Sequence, residues 1–150
     1  MSEARPKLFL SGPFQIIAND GRNATPPSTK AKALIALVLL SKNSVRSRSW
    51  LQDKLWSESA PMQGGASFRK ELSKLSKHFD DFGLNFLQIS RDTVSVDIDS
   101  VEVDLFDERR PPRRGELLEG LDVGDQEFED WLALHRQPVL ELLVTDIEPF

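Results

Sequence analysis

Residues 66–79 read Ala-Ser-Phe-Arg-Lys-Glu-Leu-Ser-Lys-Leu-Ser-Lys-His-Phe, a pattern that fits the period of an α-helix. Four large apolar side chains fall on one stripe of this helix: Phe68, Leu72, Leu75 and Phe79. The opposite face is basic, polar and short-sided, with Ala66, Lys70, Ser73, Lys74 and Lys77 on it and Arg69 on its flank. We therefore predict a helix whose apolar back packs on a core and whose cationic front faces outward.

The formal net charge of −5 conceals two regions of opposite sign. Residues 1–100 hold 14 lysines and arginines against 10 acidic residues, whereas residues 101–150 hold 5 against 14. Within residues 30–79 the balance is 10 basic against 3 acidic. Because the local field decides whether a surface attracts phosphate, the acidic total does not exclude nucleic acid as a partner.

Length and composition indicate a soluble globular protein. The 150 residues, 39% of them hydrophobic, can bury one ordinary core or one small domain with part of another. The absence of cysteine excludes disulfides and thiolate zinc sites. The longest apolar run, residues 33–40, is too short to span a bilayer, and no N-terminal signal is present. We expect a cytoplasmic location and no membrane partner.

The N-terminal residues predict a small sheet followed by a buried helix. Short apolar runs at 7–10 and 14–18, followed by Asn19-Asp20-Gly21, are typical of an antiparallel sheet, with a third strand expected near 22–25. Pro26-Pro27 ends the ladder, and Ser28 is placed to cap a helix over about 29–41. That helix is apolar almost all round, which predicts the central helix of the core.

A second helix and a turn precede the cationic helix. Ser47 is placed to cap a helix that ends at about Trp56. Residues 57–65 contain Pro61, Gly64 and Gly65, which predict a loop. Two helices joined by a turn form a helix-turn-helix, here with a longer connection than the tight form.

Residues 84–90 and 93–98 predict two strands that meet at Arg91-Asp92. A hairpin directly after a basic helix can serve as a wing, whose tip lies along the DNA backbone or minor groove. The predicted fold is thus α+β, a winged helix-turn-helix with an N-terminal antiparallel sheet, three helices and a C-terminal β-hairpin wing, followed by a short helical segment. Arg91 could equally be an arginine solvated at a turn.

The cationic face and the hairpin tip together predict a DNA-binding surface. Ammonium groups reach phosphates in the major groove, and small side chains allow close approach to the bases. We assign Arg69, Ser73 and Lys74 as base or near-base contacts, and Lys70, Lys77 and Arg91 as mainly phosphate contacts. The alternatives are a charged helix face that is only solvated, and a winged helix whose basic face docks on an acidic protein surface without DNA.

The C-terminal third of the sequence predicts a linker followed by the start of a second domain. Val101, Val103 and Leu105 return the chain to the body of the fold. Residues 107–115, Asp-Glu-Arg-Arg-Pro-Pro-Arg-Arg-Gly, lack an apolar anchor. Residues 116–144 turn acidic and helical, with Phe128, Trp131, Leu132 and Leu134 on an apolar side. The expected domains are 6–106, a linker at 107–116, and a truncated helical domain at 117–150.

The chain lacks the motifs of an enzyme. His78 and His135 are its only histidines, and Gly64-Gly65 lacks the lysine and hydroxyl of a phosphate-binding loop. The alternation of Asp97, Asp99, Glu102 and Asp104 with apolar residues is typical of a solvated strand. We expect no catalytic residue, metal or cofactor, and His78 is expected to face the carbonyls at the end of its helix.

Four segments together resemble the OmpR/PhoB-type winged helix, and more closely the N-terminal region of the SARP-type bacterial transcriptional activators. They are Ser28-Thr29-Lys30-Ala31-Lys32-Ala33-Leu34, Leu55-Trp56, Ala66-Ser67-Phe68-Arg69-x-x-Leu72-Ser73-x-Leu75, and Leu117-Leu118-Glu119-Gly120-Leu121-Asp122-Val123 with residues 125–132. The last segment is similar to the start of a bacterial transcriptional activator domain. The resemblance implies sequence-specific binding of double-stranded DNA by a bacterial transcriptional regulator, contact of residues 57–65 with RNA polymerase, and tandem pairs on direct repeats.

Overall fold

A computed structural model describes residues 5–106 and 115–137 of the chain. Within these residues the fold is mixed α+β, with four helices and two three-stranded sheets. In chain order the elements are β1 (Lys7–Phe9), β2 (Gln15–Ile17), α1 (Thr29–Leu39), β3 (Val45–Ser47), α2 (Arg48–Leu55), α3 (Pro61–Asp81), β4 (Leu87–Ile89), β5 (Thr93–Val96), β6 (Glu102–Val103) and α4 (Gln126–His135).

The first sheet has the order β2-β1-β6. β1 and β2 pair antiparallel as predicted, with Leu8 opposite Ile16. The prediction of a third strand near 22–25 was wrong, because these residues pair with β2 only through a single bridge between Asn23 and Ile17. The Asp20 carboxylate accepts from both the backbone N–H and the Nε of Arg22, which holds the chain in a turn. The third strand of this sheet is instead β6, which pairs parallel with β1.

The second sheet has the order β3-β5-β4 and is antiparallel throughout. Its hairpin is shorter than the predicted strands at 84–90 and 93–98. β5 ends at Val96 because Asp97 turns the chain by accepting a hydrogen bond from the N–H of Asp99, and β4 covers only Leu87–Ile89. β3 leads directly into α2 and pairs with β5, with Ser47 opposite Thr93. The start of α2 is thereby fixed against the hairpin.

Helix α1 is the centre of the core, as predicted. The Ser28 Oγ caps it by accepting from the N–H of Ala31 at 3.2 Å. Eight of its residues are buried: Ala31, Ala33, Leu34, Ile35, Ala36, Leu37, Val38 and Leu39. Helix α2 is capped in the same way by Ser47, which confirms that prediction too. Leu51 and Leu55 of α2 are fully buried against the core.

Helix α3 begins five residues earlier than predicted and ends two residues later. The expectation of a loop over 57–65 was wrong for residues 61–65. Pro61 stands at the start of the helix, where its missing N–H has no helical partner to lose. Gly64 and Gly65 are both buried in the second turn, and a Cβ at Gly64 would lie 3.1 Å from Nε2 of Gln52 on α2. The missing side chain of Gly64 allows α2 and α3 to approach closely.

The C-terminal residues differ most from the prediction. Helix was expected over 116–144, but residues 115–125 are not helical and α4 covers Gln126–His135. The N–H of Gly12 donates to the carbonyl of Glu116 at 2.8 Å, and the N–H of Leu118 donates to Leu10 O at 2.8 Å. Residues 115–118 thus pair with the segment after β1. The predicted linker residues 107–114 and Pro138 lie outside the described residues.

The described part of this C-terminal segment shares the main core. Leu118, Phe128 and Leu132 are buried with the residues of α1 and the sheets. Trp131 is half-buried, whereas Leu134, predicted on the apolar side, is 60% exposed, so that part of the prediction was wrong.

Candidate nucleic-acid interface

The apolar back of α3 fixes the direction in which its cationic front points. Phe68, Leu72, Leu75 and Phe79 are all buried, as the sequence predicted. The Phe68 ring meets Trp56 of α2 edge to face at 5.7 Å between centroids. The Phe79 ring lies 4.9 Å from Phe86, just before β4. Contacts at both ends of the stripe therefore hold α3 against α2 and the hairpin.

All six residues predicted to contact DNA are exposed: Arg69, Lys70, Ser73, Lys74, Lys77 and Arg91. Lys77 forms an ion pair with Asp81 one turn further along, with 3.6 Å between Nζ and Oδ2. Within residues 5–106 and 115–137, no carboxylate lies within 4 Å of the charged groups of the other four cations. The front of α3 is open to solvent and largely free of compensating charge.

The structure distributes these residues over two flanks of α3. Arg69, Ser73 and Lys77 line a groove of about 590 Å³ between α3 and the hairpin, which Arg48 and Ile89 also line. Asp80 and Asp81 lie in this groove as well, so it is not uniformly basic.

Lys74 lies on the other flank of α3. It lines a smaller groove with Pro26, Pro27 and Ser28, together with Glu71. At about 100° per residue Lys70 falls between the two flanks. The six predicted residues thus form a band across the front of α3 with the hairpin tip at one side.

Sequence reasoning missed Arg48, the first residue of α2. Its Nε donates to the carbonyl of Ser90 at 2.9 Å, and its backbone N–H donates to the carbonyl of Asp92 at 2.8 Å. These carbonyls flank Arg91 at the tip of the hairpin. Its position just after the capping Ser47, within the basic residues 30–79, could have suggested Arg48 as part of the site. Its contact with a turn 42 residues away follows only from the tertiary fold.

Several other cations within residues 30–79 contact aromatic rings or a carboxylate of the same chain. The Lys30 Nζ lies 4.4 Å from the centroid of Trp56, and the guanidinium of Arg46 lies 3.7 Å from that of Trp50. Lys54 pairs with Glu127 of α4 at 3.3 Å. Burial lowers the pKa of Lys30, and the charges of Asp125 and Glu71 partly oppose that shift. Lys30, Arg46 and Lys54 thus have partners within the fold, whereas Arg69, Lys70 and Lys74 of α3 are exposed without a carboxylate partner among the described residues.

His78 does not face the end of its helix, so that expectation was wrong. Its Nε2 lies 2.7 Å from the carbonyl oxygen of Ala24, in the segment before α1. The ring also packs against Phe79 and Phe82. His78 therefore joins α3 to the N-terminal segment.

The acidic residues near β6 have structural partners. Both oxygens of Asp104 accept backbone hydrogen bonds, from Leu10 N–H at 2.9 Å and Ser11 N–H at 3.0 Å. Asp97 accepts from Ser100 Oγ at 2.7 Å. In the described part of the chain, no three histidine or acidic side chains converge as metal ligands would.

Comparison with protein-family models and with curated proteins yields no match to this chain. Among the helices of residues 5–106 and 115–137, none combines the length and apolar character needed to cross a membrane.

Proposed function

We propose that this protein binds double-stranded DNA sequence-specifically through a winged helix-turn-helix and acts as a bacterial transcriptional regulator. In this proposal α3 enters the major groove and the β4–β5 hairpin lies on the backbone or minor groove. The observation that carries the proposal is the exposed cationic front of α3, which is fixed from behind by four buried apolar side chains.

The dimensions of α3 suit this role. Its 21 residues span about 30 Å at 1.5 Å per residue, and the major groove of B-DNA admits one α-helix. Lys70 and Lys77 would meet phosphates across the front, and Arg91 would meet a phosphate beside the hairpin. Arg69, Ser73 and Lys74 are the proposed near-base contacts.

The placement of the acidic C-terminal residues that the structure describes argues against docking of this segment on the basic face of α3. That alternative supposes that the basic face of α3 docks on an acidic surface such as the chain's own C-terminal part. In the described residues Glu127 instead pairs with Lys54 of α2, and Lys70, Lys74 and Lys77 remain exposed. Among residues 5–106 and 115–137, none covers these lysines, which supports contact with an external polyanion.

Salt dependence of duplex binding tests the proposal. We expect the logarithm of affinity to fall with the logarithm of salt concentration with a slope of roughly −4 to −5, from about four to six phosphate contacts at about 0.9 each. Changing Lys70, Lys74 and Lys77 together to alanine should reduce that slope by about 2 to 3. A matched variant with Lys7, Lys32 and Lys42 changed to alanine removes the same charge elsewhere and should keep most of the slope.

A flat salt response, or equal binding by the two triple variants, would overturn the role of α3 and favour the protein-docking alternative. Selection of bound sequences from random duplexes then tests specificity. Enrichment of one sequence supports a regulator that reads bases, and regular repeats of it would indicate binding as tandem pairs. Recovery of unrelated sequences would contradict sequence-specific binding.

A further inference from the structure

Arg48 joins the two parts of the candidate interface. It lines the groove beside α3 together with Arg69. It also makes two hydrogen bonds to the hairpin turn, from Nε to Ser90 O at 2.9 Å and from its N–H to Asp92 O at 2.8 Å. One residue at the start of α2 therefore holds the carbonyls on both sides of Arg91.

These two bonds hold the hairpin turn in place relative to the helices. Within the turn, the Ser90 N–H donates to Thr93 O at 2.9 Å and the Thr93 N–H donates to Ser90 Oγ at 3.1 Å. Those bonds set the shape of the turn but not its direction relative to the helices. The β3–β5 pairing stops at Ser47 and Thr93, so Arg48 extends the connection one residue beyond the strands.

The direction of the turn matters for a phosphate contact. Exposed loop tips are commonly mobile, and ordering a mobile side chain on binding reduces affinity. Arg91 is exposed at the tip of a turn whose neighbouring carbonyls are already held. A tip that is fixed before binding meets the duplex at a set distance from the cations of α3.

We propose that Arg48 is a positioning residue for Arg91: it holds the hairpin turn beside α3 so that the Arg91 guanidinium meets a DNA phosphate. This inference rests on the proposed DNA-binding function. It assigns to Arg48 an action through the turn rather than a phosphate contact of its own.

Two substitutions of Arg48 separate these roles. Arg48→Ala removes the Nε bond and the charge. Arg48→Pro removes the same charge and also the N–H that donates to Asp92, and its ring Cδ displaces the Asp92 carbonyl, while the backbone at the first position of a helix suits proline. The residue before it, Ser47, has φ −70° and ψ 151°, which suits a residue preceding proline. The two variants therefore have equal charge and differ in whether residue 48 can donate a backbone hydrogen bond to the Asp92 carbonyl.

We expect Arg48→Pro to bind duplex DNA about two- to fivefold more weakly than Arg48→Ala, which corresponds to the loss of one neutral hydrogen bond. In an Arg91→Ala background that difference should vanish, because the tip then carries no cation to position. Arg91→Ala alone should lower the salt slope by about 0.9. Thermal unfolding of each variant checks that the fold is retained.

Equal binding by Arg48→Ala and Arg48→Pro, or a difference that persists without Arg91, would overturn the positioning role. Hydrogen exchange of the free protein tests the hold on the turn without DNA. We expect faster exchange at residues 90–93 in Arg48→Pro with unchanged exchange in α3, and unchanged exchange at the turn would overturn the inference. Absence of salt-dependent binding by the unaltered protein would instead overturn the proposed function.

Discussion

Lys77 and Asp81 form an exposed ion pair on the front of α3. Their side chains are 79% and 63% exposed. An exposed pair of this kind contributes between about 0 and 1 kcal/mol to stability. Its main effect is therefore on the field at the surface, because Asp81 cancels part of the positive potential that Lys77 would present to a phosphate.

Replacing Asp81 by asparagine should tighten duplex binding by about two- to threefold at low salt, since one repulsive charge leaves the groove. The gain should shrink as salt rises, because screening weakens exposed charges over about 10 Å at 0.1 M salt. Fluorescence anisotropy with a labelled duplex measures the change. Asp122→Asn, an exposed residue of the C-terminal segment, alters the net charge equally, and an equal gain there would show that only total charge matters.

At the scale of elements, two adjacent glycines at the crossing of α2 and α3 have different surroundings. A Cβ at Gly64 would lie 3.1 Å from Nε2 of Gln52 and 3.4 Å from Cβ of Trp56. At Gly65 the nearest atom would be Nη1 of Arg69 at 3.3 Å, the end of an exposed and flexible side chain. The first position is confined by α2, whereas the second can accept a methyl group.

The same substitution at these adjacent positions should therefore have different effects. Gly65→Ala should raise the free energy of unfolding by about 0.5–1 kcal/mol through helix propensity. Gly64→Ala should be at least about 1 kcal/mol less stable than Gly65→Ala, because Gln52 must move and lose its bond to the Pro61 carbonyl. Urea denaturation measures both, and equal stabilities would show that Gly64 is not needed for close approach.

The sequence predicted those elements whose signals are local. The caps at Ser28 and Ser47, the buried helix α1 and the stripe of α3 follow from side-chain type and helical period. The same reasoning misjudged Pro61 and Gly64 as helix breakers. Pro61 stands at the first position of α3, where proline fits, and Gly64 faces α2. Exposure of the predicted DNA-binding residues followed from the helical period, whereas the division of their band between two grooves depends on which elements flank α3.

The long-range pairings could not be predicted in the same way. β6 adds to β1 across more than 90 residues, and its two residues carry no pattern that selects a partner. Arg48 likewise meets Ser90 only because β3 and β5 pair. Such contacts depend on which segments the core brings together, which a single local pattern does not encode.

At the scale of the whole molecule, a buried carboxylate attaches the described C-terminal residues to the segment just after α2. Asp125 accepts from the Ser57 N–H at 2.8 Å and the Ser57 Oγ at 2.7 Å, and it also caps α4 through the Glu127 N–H. Phe128 then inserts into the main core. Residues 115–137 are therefore expected to unfold together with residues 5–106.

Phe128→Ala should lower the free energy of unfolding by about 3–5 kcal/mol, since it removes a fully buried ring. The variant should still unfold in one transition, with tryptophan fluorescence and far-UV circular dichroism coinciding. Trp131 reports on α4, whereas Trp50 and Trp56 report on α2. Leu134→Ala, on the exposed side of the same helix, should change stability by less than about 0.5 kcal/mol. Two separate transitions would instead support an independent domain after residue 117.

The bond from the Leu10 N–H to Asp104 spans 94 positions of the chain. During synthesis, a ribosome must therefore release the chain as far as Asp104 before the first sheet can close. The unit made of β3, α2, α3 and the hairpin needs only residues 45–96 and emerges earlier. Because contacts between residues far apart in the sequence form slowly, we expect residues 45–96 of a nascent chain to be folded before β1 pairs with β6.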